Sequence, residues 1–121
     1  MRPRGRRAVN DERGAGTALA LAVVAAVVAL FVVLAGVAVV LDARRRVVSV
    51  ADAAALAGAD TALGVATGVP CVRAAELTAA AHLRLEACAQ RGDLVRVSVS
   101  TSVLGVALSG EAVAGPPPAG R

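Results

Sequence analysis

Aromatic side chains are nearly missing from these 121 residues: Phe31 is the single example, and neither Trp nor Tyr occurs. Lysine is missing too, so all thirteen basic residues are arginines. A formal net charge of +4 could suit nucleic acid, but holding a single strand also takes aromatic faces interleaved with the basic residues. Here the arginines gather at the two ends of an apolar segment, where such residues set topology at a membrane surface. No nucleic-acid partner is expected.

Histidine and cysteine are scarce as well, and that weighs against catalysis. A metal site wants three or four converging ligands, usually with Cys or His paired at short spacing. One histidine, His82, and two distant cysteines, Cys71 and Cys88, do not supply it. His82 has only Glu76 and Glu86 near it and reads as a solvated surface residue. No serine sits in a nucleophile elbow, and Gly64-Val65-Ala66-Thr67-Gly68 lacks the Lys-Ser/Thr that follows in a phosphate loop. Arg91-Gly92-Asp93 spells a cell-adhesion tripeptide, yet a glycine among polar neighbours is what a hairpin loop needs in any case. The chain therefore reads as a non-enzyme without cofactor or metal.

Charge is absent over one long stretch. Ala15 to Leu41 is 27 residues in which Thr17 is the only polar side chain. Crossing ~30 Å of hydrocarbon at ~1.5 Å per residue takes roughly 20 apolar residues, so this run spans a bilayer with some to spare. A cleavable secretory signal has an apolar stretch of roughly 7–15 residues closed by a small-residue cleavage site. This run is about twice that and stops at Asp42 and at Arg44, Arg45 and Arg46, which marks a retained anchor. Arg2, Arg4, Arg6, Arg7 and Arg13 precede the span; five arginines against three favour a cytoplasmic N-terminus. Arg6-Arg7 is no twin-arginine signal, because Ala8-Val9-Asn10-Asp11 does not continue it with apolar residues. Both cysteines lie beyond the span, and an even pair in a small domain suits an oxidising compartment outside the plasma membrane.

Past the span, Val47 to Leu63 is rich in alanine, the best helix former, and contains no Gly or Pro except Gly58. Arg45, Ser49, Asp52 and Asp60 fall on one side of such a helix, leaving Ala, Val and Leu56 for the opposite side. Gly64, Gly68 and Pro70 end it. A second helix is expected over 71–81. Were it to continue to Gln90, Cys71 and Cys88 would stand about 25 Å apart, whereas a disulfide needs Cα atoms roughly 4.4–6.8 Å apart. Either the thiols are unpaired or the chain turns back near His82. Leu85 and Ala87 alternate with Arg84, Glu86 and Cys88, which suits a strand and favours the turn.

Gln90-Arg91-Gly92-Asp93 then reads as a hairpin loop. Val95, Val97, Val99, Thr101 and Val103 alternate with Arg96, Ser98, Ser100 and Ser102, the clearest strand signal in the chain. Leu104 to Leu108 is ambiguous, and a short third strand is expected over 110–114. Gly115 onward, with Pro116, Pro117 and Pro118, should be a loose tail. The domain plan is thus a basic cytoplasmic N-terminus (1–14), a transmembrane helix (15–41), an extracytoplasmic α+β domain (42–114) with strands near 84–89, 94–103 and 110–114, and a disordered tail (115–121). In fold class this is a membrane-anchored α+β protein whose long N-terminal helix extends into a small helix-plus-β-hairpin domain.

Within the span, Ala18, Ala22 and Ala26 recur every fourth residue on one face, where small side chains let helix backbones approach closely in lipid. The helix can then associate with itself or with other membrane proteins. A second feature follows it: Arg46-Val47-Val48-Ser49-Val50-Ala51-Asp52-Ala53-Ala54-Ala55-Leu56-Ala57-Gly58-Ala59. This junction, and the start Asp11-Glu12-Arg13-Gly14-Ala15-Gly16-Thr17-Ala18, resemble the TadE/TadG-like proteins of Flp (tight-adherence) pilus systems, with Arg13, Gly14, Asp52 and Leu56 as the matching positions. The remainder resembles their short actinobacterial branch. There a cysteine opens the second helix, another precedes a Gly-Asp loop, and a Val-alternating strand follows.

The resemblance implies a minor pseudopilin-like structural or assembly component of a pilus or secretion apparatus. It would sit in the plasma membrane with its small domain outside and partner other membrane proteins of that system. One position departs from the pattern. Flp-type prepilins carry Glu five residues after the processing glycine, and counting from Gly14 this chain has Leu19. Neither prepilin-peptidase cleavage nor entry into a filament therefore follows. The alternative is a single-pass accessory subunit of another membrane complex, unrelated to pili; an exported enzyme is a third class, without a nucleophile, base or metal cluster to support it.

Overall fold

The computed structural model describes the backbone of residues 5–118 and the side chains of residues 14–118. The side chains of Arg2, Arg4, Arg6, Arg7 and Arg13, and the last three residues of the expected tail, lie outside the described residues. Helix α1 covers Gly5–Ala62 and is followed by α2 (Pro70–Ala80), β1 (Arg84–Arg91), β2 (Leu94–Val103) and β3 (Val106–Ala114). The chain divides into two compact units, residues 1–37 and 38–121. This is an α+β layout, one long helix preceding a small helix and a three-stranded sheet.

The first unit is the apolar part of α1. Every residue from Gly14 to Ala35 is exposed, including Leu19 and Phe31. A helix that is apolar all round and exposed all round has no core to face within its own chain.

The second unit has a core. Its part of α1 buries Val47, Ala51, Ala54, Ala55 and Ala59, the three-and-four spacing of one helix face. Leu56 is not on that face: it is 58% exposed, which corrects the expectation that it lies opposite the polar side. Asp52, Leu56 and Asp60 are four apart, so geometry stacks all three on one stripe. The buried face consists mostly of alanine and so lets the sheet approach closely. At Gly58 an added Cβ would lie 2.9 Å from Val95 Cγ1, and at Gly110 one would lie 3.1 Å from Val47 Cγ1.

α1 ends in a capped turn. The Val65 N–H donates to the Asp60 carbonyl and the Gly64 N–H to the Thr61 carbonyl, with Gly64 in the left-handed region at φ 77°, the pattern that satisfies otherwise orphaned carbonyls at a helix end. Pro70, expected to help end the first helix, instead begins α2, where its missing N–H costs nothing. α2 ends the way α1 does: Leu83 N–H donates to Thr78 O, and His82 N–H to Ala79 O. Here a histidine, not a glycine, takes the left-handed position, at φ 58°.

The strands form one antiparallel sheet in the order β1-β2-β3. Val95, Val97 and Val99 of the central strand are fully buried, each contributing about 1.5–3 kcal/mol relative to an exposed side chain. β1 departs from simple alternation. Its register shifts between Leu85 and Ala87, so Leu85 and Cys88 both pack against the core while Ala87 is exposed. An extra residue in one strand exchanges the faces beyond it. β3 begins at Val106 rather than at residue 110. A two-residue turn, Leu104-Gly105 with φ of 51° and 76°, joins it to β2, and positive φ at both central residues is what the twist of a two-residue hairpin demands. Gly115–Pro118 adds no further helix or strand.

Candidate functional site

Two regions hold the residues singled out above. The first is the exposed apolar helix. Its small-residue positions Ala18, Ala22 and Ala26 are all exposed, and a Cβ at Gly14, Gly16 or Gly36 would meet nothing within 4 Å. One helix, starting at Gly14 among the described side chains and lying near the N-terminus, is long and apolar enough to cross a membrane. Leu19 is 66% exposed.

The second region is the module formed by residues 38–121. α2 places Cys71 in its first turn, where Pro70 opens the helix, and the chain reversal at His82 brings β1 back beside it. Cys71 and Cys88 are joined, with Cα atoms 5.8 Å apart across a sequence separation of 17. No cysteine is free among the described residues. Thr78 is buried and donates its hydroxyl to Ala74 O at 2.7 Å, so the helix under the bond carries no unmet polar atom. Asp52 and Leu56, singled out in the run after the apolar segment, sit side by side on the exposed stripe of α1.

Two ion pairs lie on the module's surface. Arg73 meets Glu76 at 2.9 Å and Arg96 meets Glu111 at 3.1 Å; both pairs are more than half exposed, and such pairs contribute little. Ser100 donates to Glu86 across the sheet. Among the described residues, no three His, Cys, Asp or Glu side chains come together as a metal site.

One grouping was not legible in the sequence. Ala38, Val39, Asp42 and Arg46 of α1 line an open groove with Ala81, His82, Thr101 and Val103, and the Arg46 guanidinium donates to Ala81 O at 3.1 Å. No periodicity links residues 42, 82 and 103. Against family models, curated proteins and solved structures alike, the chain has no match.

Proposed function

We propose that this chain is a single-pass protein of the plasma membrane, N-terminus cytoplasmic and module outside, that works as a minor pseudopilin-like assembly component of a Flp-type pilus or related secretion apparatus. The observation that carries the reading is the division of labour along α1. Gly14 to Ala35 has no residue covered by its own chain, whereas the family-like run supplies Val47, Ala51, Ala54 and Ala55 to a folded core. Outside lipid, so large an apolar surface would be an aggregation liability; inside lipid it costs nothing and leaves the alanine ladder free for close helix contacts. The module's disulfide suits an oxidising compartment.

The test has two parts. A periplasm-active reporter fused after Arg121 is expected to be active and the same reporter at the N-terminus inactive; the reverse pattern overturns the topology. Purification from detergent-solubilised membranes is expected to recover a secretion ATPase or inner-membrane platform protein. Recovery of an unrelated enzyme or transporter supports the accessory-subunit reading, which the leucine at position 19 favours.

A further inference from the structure

We propose that the β2–β3 hairpin tip, Val103-Leu104-Gly105-Val106, is a second membrane contact, inserted into the interfacial layer of the bilayer that α1 crosses. The inference rests on the anchor reading above. It deepens that reading by naming what lies against the module's lower end: lipid.

Two close approaches and one shared groove fix how the sheet runs along α1 within the module. Val95, at the start of β2, lies against Gly58. Gly110, paired with Val99, lies against Val47 and the backbone of Val48. Val103 and Thr101, at the end of β2, share a groove with Ala38, Val39 and Asp42. Distances along the two elements agree. Val95 to Val103 spans about 26 Å at ~3.3 Å per strand residue, and Gly58 to Val39 spans about 28 Å at ~1.5 Å per helical residue. β2 therefore descends along the helix toward the apolar run that ends at Leu41, and the turn at Leu104-Gly105 reaches that level.

The chemistry of the two sheet ends differs accordingly. From Thr101 to Gly110 there is no charged residue; Leu104 is 70% exposed and Val106 44% exposed. The opposite end of the sheet carries Arg91, Asp93 and Arg96 around its turn. Leu104 also occupies left-handed backbone, a position where Asn, Asp or Gly is the ordinary choice. A bulky apolar residue held in disfavoured backbone and pointed away from its own core is a reason to look for a role. Arg44, Arg45 and Arg46 follow on the helix, about 8–11 Å beyond Val39 at ~1.5 Å per residue, and suit the headgroup region above the tip.

The experiment uses the full chain reconstituted in phosphatidylcholine–phosphatidylglycerol vesicles, with some lipids carrying a nitroxide quencher at a shallow acyl position. Because the native cysteines are bonded to each other, a single added thiol can take an environment-sensitive fluorophore. Leu104→Cys reports the tip, Asp93→Cys the opposite turn and Phe31→Cys the span. The expected result is quenching at 104 several times that at 93 and close to that at 31. Quenching at 104 no greater than at 93, with 31 quenched, overturns the hairpin contact and leaves the anchor standing. An unquenched label at 31 overturns the anchor and the hairpin contact together. If Leu104→Cys loses the Cys71–Cys88 bond, Val106→Cys takes its place with the same outcomes.

Discussion

Replacing Gly58 by alanine sets two effects of opposite sign against each other. Gly58 lies inside α1, so alanine there gains about 1 kcal/mol of helix propensity. The added methyl, however, would stand 2.9 Å from Val95 Cγ1 and 3.3 Å from the Pro70 carbonyl oxygen. Neither neighbour yields easily. Val95 is fully buried on the central strand, paired on both sides, and a β-branched side chain is stiff at χ1; the other obstacle is backbone. Overpacking of this kind costs about 1–3 kcal/mol, so the steric effect wins and a net loss of about 1 kcal/mol is expected. For a unit of this size that is roughly 4–8 °C in Tm, read by circular dichroism on the full chain in detergent micelles. Gly36→Ala, where a Cβ meets nothing within 4 Å, should leave the transition unmoved. The decisive measurement is the cycle with Val95→Ala. Removing Cγ1 opens the space the new methyl needs, so the double variant should be about 1 kcal/mol more stable than the two single losses sum to. Additivity within about 0.5 kcal/mol would refute the reasoning.

Three further outcomes are expected. Cys71→Ala with Cys88→Ala should lower the unfolding free energy of the module by about 3 kcal/mol, the chain-entropy value for a loop of this length, measured by urea titration against the parent; no loss would mean that the bond constrains nothing. His82→Gly should raise stability by about 0.5–1 kcal/mol, because relief of the left-handed backbone outweighs the entropy that glycine adds to the unfolded chain; a fall in Tm would show that the imidazole makes a contact worth more than the strain. Ala18→Leu, Ala22→Leu and Ala26→Leu together should leave membrane insertion intact and abolish co-purification of partners, while Leu at Val23, Val27 and Val33 keeps them. If both triples retain every partner, the helix is only an anchor and assembly rests on the module.

The legible parts of this chain are those carried by local pattern. The uncharged run to Leu41 needs only composition to be read as an apolar helix. The alternation of Val95, Val97 and Val99 with Arg96 and Ser98 marks a half-buried strand, and that strand runs over Leu94–Val103. The start of β3 was not legible because Leu104-Gly105 lacks the Asn-Gly or Asp-Gly signature, and the left-handed leucine is held by pairing on either side, Val103 opposite Val106. The face of Cys88 was not legible either, since a bulge between Leu85 and Ala87 depends on the partner strand and leaves no mark in the strand that carries it.

By itself, then, the sequence determined which segment is long and apolar enough to cross a membrane, that the first helix ends before Gly64, and which strand forms the centre of the sheet. Those are consequences of hydropathy, backbone freedom and side-chain period, each set within a few neighbouring residues. Tertiary structure alone decided that Gly58 and Gly110 are places where helix and sheet come close, and that Asp42, Arg46, His82 and Val103 meet around one groove. These depend on which surfaces of distant segments fit at close range. An alanine face admits a sheet only where a glycine leaves room for a valine, and no window of neighbouring residues contains both sides of that contact.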